Sequence, residues 1–358
     1  MRFPFTPILY AIPQHIMPDY QLLLAEIDCF IRSPHRSQHD FDSLALLLHG
    51  YQKANNPNYA ALCHQSKAHA HNDIPALTTD AFKFHSPPSC LTDKQIATTF
   101  MTSGTTGEMR GKHHFRDTTL YETSIIECWK NLKLPKINTL LILTPTPHEA
   151  PHSSLAHMME TLRTHLSPSA NYLINQDTIY LQLLKDTVAS GKPVTLLGTA
   201  LAFLNLFEQL DQPLSLPPGS WAMETGGYKG SGRDLNKQNL YQQFQSFLSL
   251  PPDSIWNEYS MTELSSQFYT HGLDRPHNAP HWTKISVIDP ETDLPVNPGD
   301  SGYLVIHDLA NIDSVAKIRT QDIAIYHDER TFTLIGRDPS ALPRGCSRSI
   351  DEALNASE

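Results

Sequence analysis

The residues able to do chemistry fall into four clusters, and the densest runs Thr102-Ser103-Gly104-Thr105-Thr106-Gly107-Glu108-Met109-Arg110-Gly111-Lys112. Four hydroxyls, three glycines and two cations share these eleven positions. Glycines let the backbone wrap a polyphosphate, hydroxyls donate to its oxygens, and a cation answers its charge. The spacing is not that of the GxxxxGK[ST] loop, because no Gly-Lys-Ser/Thr closes it. Standing alone, such a stretch reads as a flexible loop. Three further clusters give it weight.

The second cluster, Asn257-Glu258-Tyr259-Ser260-Met261-Thr262-Glu263, follows a predicted strand, where α/β sheets place ligand sites. Glu263 suits a Mg²⁺ that bridges phosphates, an ion content with one or two carboxylates plus substrate oxygens. The third, Ile318-Arg319-Thr320-Gln321-Asp322, offers a carboxylate to ribose hydroxyls, or else an ordinary hairpin-flanking Asp. The fourth, Gly336-Arg337-Asp338 with Arg344-Gly345-Cys346, supplies a cation, a bend and a thiol between two arginines.

The elements that must position these clusters are legible as patterns. Residues 1–95 mix helical stretches (Tyr20 to Ile31, Phe41 to Lys53) with His, Pro and Asn-rich connections and read as a helical lobe. Across 96–280, apolar strands at Thr139 to Thr144, Val194 to Thr199, Trp221 to Thr225 and Ser254 to Tyr259 alternate with helices at Ser153 to His165 and Leu201 to Leu210. A further helix is expected to start at an Asp234 cap and run to Leu248. Alternation of this kind predicts an α/β fold with a mostly parallel sheet flanked by helices. From 281 to 335, short strands at Lys284 to Ile288, Gly302 to His307, Ile323 to Tyr326 and Phe332 to Ile335 predict a small antiparallel β lobe, followed by a tail over 336–358.

Composition bounds the reading. The chain has 358 residues, 40% hydrophobic and 18% charged, which excludes disorder and collagen. Its 27 Lys and Arg against 37 Asp and Glu leave a net charge of −10, so no positive field holds a nucleic-acid backbone. Apolar runs such as Leu140 to Leu143 fall far short of the about 20 residues a membrane span needs. Five cysteines without a CxxC pair argue against a disulfide framework or structural zinc and suggest a cytoplasmic chain. Cys29 and Cys128 lie in helical patterns as small core residues, and Cys63 and Cys90 have no assigned role. With 19 histidines in the chain, the group His64, His69 and His71 reads as chance, while His113-His114 beside the first cluster are candidates to touch substrate.

Four motifs in this order resemble the signatures of adenylate-forming enzymes. Thr102 to Lys112 is similar to their phosphate loop, Tyr259 to Glu263 to their Tyr-Gly-Met-Thr-Glu, Arg319 to Asp322 to their Arg/Lys-Thr-Gly-Asp, and Gly336-Arg337-Asp338 to their hinge. Ile74-Pro75, Phe82-Lys83, Ser153-Ser154-Leu155, Thr225-Gly226-Gly227-Tyr228-Lys229-Gly230, Leu264 to Tyr269 and Arg344 to Ser347 narrow the resemblance. It is to the LuxE-type acyl-protein synthetases of bacterial fatty acid reductase complexes. The resemblance implies that a carboxylic acid and ATP give an acyl-adenylate and pyrophosphate, after which a thiol takes the acyl group. It implies an acyl reductase or acyl carrier protein as partner, and a mobile C-terminal domain absent or vestigial.

Carried over residue by residue, Thr102, Ser103, Thr105, Thr106 and Arg110 would hold phosphates along the Gly104 and Gly107 turns, with Lys112 a second cation. Gly226, Gly227 and Tyr228 would face adenine beside Tyr259, Thr262 the α-phosphate, Glu263 the Mg²⁺, Asp322 the ribose, and Arg337 the ribose or phosphate. Cys346, with Arg344 and Arg348 favouring its thiolate, is the candidate acyl acceptor. The chain departs from the usual pattern at Met109-Arg110 in place of Pro-Lys, at Ser260 in place of Gly, and in having no residue for the C-terminal-domain lysine. Two rival readings follow: a ligase delivering to coenzyme A or a carrier protein, and a non-catalytic nucleotide-binding scaffold.

Overall fold

The computed structural model describes residues 19–35, 37–63, 68–84, 86–102, 110–167, 169–175, 178–226 and 236–338. Its helices are α1 (Tyr20–Ile31), α2 (Gln38–Asn55), α3 (Pro57–Leu62), α4 (Thr119–Asn131), α5 (Ser154–Leu166), α6 (Leu181–Ala189), α7 (Ala200–Gln209) and α8 (Lys237–Leu248). The strands before residue 250 are β1 (Leu77–Thr78), β2 (Thr98–Met101), β3 (Lys112–Phe115), β4 (Thr139–Leu143), β5 (Asn171–Tyr172), β6 (Ile174–Asn175), β7 (Thr178–Ile179), β8 (Val194–Thr199) and β9 (Trp221–Thr225). After it come β10 (Ile255–Tyr259), β11 (Phe268–His271), β12 (His277–Asn278), β13 (Thr283–Ile288), β14 (Ser301–Asp308), β15 (Lys317–Asp328) and β16 (Thr331–Arg337).

Helix starts follow side-chain caps. The Asp19 carboxylate accepts from Leu22 N, Ser37 and Asp40 form a reciprocal capping box, and Ser153 and Thr199 accept from the third amide of α5 and α7. The α8 cap differs from expectation: Asn236 accepts from Asn239 N and the helix starts at Lys237, while Asp234 lies outside the described residues.

Twelve strands form one sheet in the order β13-β14-β15-β16-β12-β11-β10-β9-β8-β4-β5, with β1 added on β15. Strands β5, β4, β8, β9 and β10 are parallel, and the sheet turns antiparallel from β11 onward. The strands after residue 280 therefore extend the main sheet; they join it where β12 pairs with β16 and the His277 imidazole stacks on Phe332. The first lobe is tied in as well, since Leu77 and Thr78 pair in parallel with Ile318 and Arg319.

Both faces of the parallel half are buried, which explains its continuous apolar runs. Leu140 and Ile142 face a core built with α1, α2, α4 and α5, while Leu141 and Leu143 face α6, α7 and α8. Leu201, Leu204 and Phe207 supply the buried stripe of α7, and Leu210 follows at its end. A third core fills the antiparallel half around Phe268, Ile306 and Phe332. No helix among the described residues is long and apolar enough to cross a membrane.

Candidate active site

The feet of the first cluster are clamped together. Thr102 N donates to Gly111 O at 2.9 Å, Gly111 N donates to Thr102 Oγ1 at 2.7 Å, and Arg110 Nε donates to Thr102 O at 2.6 Å. Glycine fits tightly at 111, where a Cβ would sit 3.0 Å from the Thr102 methyl and press on it. Thr102 is buried with its hydroxyl on the Gly111 amide, while Lys112 opens β3 from an exposed position. Ser103, Gly104, Thr105, Thr106 and Gly107 lie outside the described residues, as do Gly227, Tyr228 and Cys346.

Strand β10 delivers the second cluster to the same place. His113, one residue into β3, is fully buried; its Nδ1 donates to Thr262 O at 2.8 Å and its Nε2 meets Ser314 Oγ at 2.9 Å. Burial pushes this imidazole down to about 4, so it is neutral, with Nδ1 carrying the proton that the Thr262 carbonyl accepts. His113 is thus a strut behind Thr262. His114 instead pairs with Thr99 Oγ1 at 2.8 Å.

Thr262 and Glu263 are both buried, and the segment after them is held from β14. Asn311 Nδ2 donates to Glu263 O at 2.8 Å, and the Asp308 carboxylate accepts from Ser265 N, Ser266 Oγ and Ala310 N at 2.7 to 3.0 Å. Burial raises Asp308 to about 6 in spite of those donors. Gln52 of α2 locks the same loop, its Nε2 donating to Asn311 O and its Oε1 accepting from Ala316 N.

Ahead of Tyr259, Glu258 is fully buried and raised to about 6 by desolvation, opposed by hydrogen bonds from Thr225 and Ser260. It links the end of β9, where Gly226 follows at φ 108°, to the Ser260 position. On the other face of the sheet, Asn257 bridges Glu224 and His277 at 2.8 and 2.7 Å.

The third and fourth clusters meet across β15 and β16. Asp322 is the cross-strand partner of Arg337, and Tyr259 OH donates to Asp322 Oδ2 at 2.8 Å. The Arg319-Thr320-Gln321-Asp322 segment lies within a twelve-residue strand, where a hairpin flank was one expectation. Thr262, Glu263, Tyr259, Asp322 and Arg337 are therefore linked to the Lys112 foot by named hydrogen bonds and strand pairings. Among the described residues no group of three or more His, Cys, Asp or Glu side chains could hold a metal ion. His71 instead pairs with Asp42, and the four described cysteines are free thiols.

Sequence reasoning overlooked Asp308, Asn311, Asp313, Ser314 and Gln52. Their signal was Asp308-Leu309-Ala310-Asn311-Ile312-Asp313-Ser314-Val315-Ala316, a connection without Gly or Pro that alternates small apolar and polar residues. Every residue of it is buried, so its polar groups serve the interior.

The fold is that of adenylate-forming enzymes. A 2-hydroxyisobutyryl-CoA ligase, solved in an open conformation with 2-HIB-AMP and CoA, superposes with a TM-score of 0.62 at 12% identity over 87% of this chain and 78% of that one. The same ligase in its postadenylation state gives 0.60 at 11% identity over 90% and 68%. Among curated proteins, the long-chain-fatty-acid–luciferin-component ligase of Vibrio harveyi is 21% identical over 335 residues, 86% of each chain. The family model described as "Acyl-protein synthetase, LuxE" matches residues 37–355, and the chain belongs to that family. It is accordingly an AMP-forming acid ligase, which activates a carboxylic acid with ATP and transfers the acyl group.

Proposed function

We propose that the acid is a long-chain fatty acid, that the acyl group passes to the chain's own Cys346, and that an acyl reductase then consumes the thioester. In the first step a carboxylate oxygen attacks the α-phosphorus and pyrophosphate leaves. In the second a thiolate attacks the acyl carbon and AMP leaves. Both steps are served mainly by positioning and charge neutralisation.

Support comes from the convergence of three separated motifs: Thr262 on His113, Tyr259 on Asp322, and Asp322 opposite Arg337. In this reading Thr262 meets the α-phosphate and Asp322 accepts from ribose hydroxyls. Tyr259 and the Gly226-Gly227-Tyr228 turn flank adenine, and Arg337 binds ribose or phosphate. Arg110 and Lys112, with the Ser103 to Gly107 loop, hold the outer phosphates. A single buried carboxylate beside a threonine is an oxygen donor set that suits Mg²⁺, and Glu263 would hold it. That ion, when bound, neutralises phosphate charge. The free thiols fit a reducing cytoplasm.

Radiolabelled fatty acid with ATP should leave a hydroxylamine-labile label on the full-length chain, and C346A should release pyrophosphate yet retain no label. Label that moves only to coenzyme A or a carrier protein would transfer the assignment to an acyl-CoA or acyl-carrier ligase. Absence of acid-dependent pyrophosphate release would sink it altogether.

A further inference from the structure

Gln321 occupies the place where the adenylate-forming motif Arg/Lys-Thr-Gly-Asp carries glycine, and its side chain is fully engaged. Nε2 donates to Asp80 Oδ2 at 2.8 Å, and Oε1 accepts from Arg337 Nη2 at 2.7 Å. Asp80 is itself paired with Lys83 Nζ at 3.1 Å. An amide has distinct donor and acceptor ends, so a carboxylate on one side fixes which end faces the other. Asp80 thereby forces the carbonyl of Gln321 toward the guanidinium. The backbone reinforces this, because Asp338 N donates to Gln321 O at 3.0 Å and Arg337 lies opposite Asp322 in the strand pairing.

We propose that Gln321 is a positioning residue for nucleotide binding, aiming Arg337 at the nucleotide through the chain Lys83, Asp80, Gln321, Arg337. The inference rests on the nucleotide reading of Arg337 given above. The amide transmits orientation without cancelling charge. A carboxylate at 321 would pair with the guanidinium that is needed for an anionic ligand, and would face Asp80 with like charge. A glycine there would leave the guanidinium to find its own geometry. The chain also reaches out of the sheet, since Asp80 and Lys83 belong to the turn that follows β1. The first lobe thereby contributes to the orientation of a residue near the far end of the described chain.

The test is pyrophosphate release by the full-length enzyme at saturating fatty acid and varied ATP, with equilibrium dialysis of AMP as a second readout. Loss of one hydrogen bond to a charged group predicts that Q321L raises the KM for ATP and the Kd for AMP about tenfold. Turnover should stay within about twofold, and Q321E should be worse than Q321L in both affinities. In an R337A background, Q321L should add less than about twofold, because its effect acts through that arginine. A folded Q321L with unchanged KM and Kd overturns the assignment, as does an undiminished effect in R337A. Should Q321L fail to fold, D80A interrupts the same chain from a more exposed position, and unchanged nucleotide affinity there overturns it equally. A wild-type enzyme that releases no pyrophosphate with ATP and acid refutes the nucleotide reading first, and this inference with it.

Discussion

Replacing His113 with Phe tests whether the strut behind Thr262 is a neutral imidazole. H113F keeps a ring against Phe82 and Phe115, which lie 5.6 and 4.2 Å from the imidazole centroid, and deletes both hydrogen bonds. Removing the His113 bonds to the buried Thr262 carbonyl and Ser314 hydroxyl costs about 2 kcal/mol at pH 7. The pH dependence runs the other way. The folded-state value is lowered to about 4, against about 6.5 in the unfolded chain. Stability from neutral His113 is therefore fully present above about 6.5 and is lost progressively as the pH falls from there toward the folded value, where the loss is complete. At pH 5 the unfolded chain has taken up a proton that the folded chain refuses, which costs the wild type about 2 kcal/mol. Phe carries no such linkage. Urea denaturation should show H113F less stable by about 2 kcal/mol at pH 7 and nearly equal to wild type at pH 5. A stability gap independent of pH would refute the neutral-strut account. Undiminished acid-dependent pyrophosphate release by H113F at pH 7 would refute its role in holding Thr262.

Two further outcomes are expected. Y259F deletes the hydroxyl that donates to Asp322 Oδ2, so the KM for ATP should rise about fivefold to tenfold with little change in melting temperature; an unchanged KM would separate Asp322 from the nucleotide. His307 is fully buried and held well below its ordinary value by desolvation and by the nearby Lys317, His71 and Lys284, and neither ring nitrogen has a hydrogen-bond partner among the described residues. H307L should hold its stability at pH 7 and lose less stability than the wild type as the pH falls from 6.5 to 5; equal acid losses in the two proteins would refute this.

How far the sequence revealed the structure depends on how local the determining forces are. Strands β8 and β9 matched their expected bounds residue for residue, because both are buried along their whole length and their mainly apolar runs stand out from the Gly- and Pro-containing segments that precede them. Strand β15 was seen only from Ile323 because a register shift against β14 falls between Arg319 and Ile323 and interrupts the alternation there, and its first half presents Arg319, Gln321 and Asp322 for contacts made at long range. The continuity of the sheet past residue 280 depends on β12, whose two residues are too few to show any period. The motif residues themselves were legible from order and type. Their supports were not, because Gln52, Asp308 and Asn311 act across separations such as the 259 positions between Gln52 and Asn311.

The two positions at which this chain departs from a family glycine have a common logic. At 260 the serine hydroxyl hydrogen-bonds the Glu258 carboxylate, and at 321 the amide engages the Asp80 carboxylate. In each case a side chain in place of glycine faces an acid that also contacts another group: Thr225 at the end of β9 for Glu258, and Lys83 in its own turn for Asp80. A carboxylate as deeply buried as Glu258 is costly to ionise without donors, and its value of about 6 reflects desolvation only partly offset by two hydroxyls. Glycine at 260 would remove one of them and favour the protonated acid at neutral pH. The protonated form would have to donate, so the link between Thr225 and the Tyr259 to Glu263 segment would change direction as well as strength. Ser260 and Glu258 are therefore one unit, as Gln321 and Asp80 are another, and substituting either member alone costs more than replacing the pair.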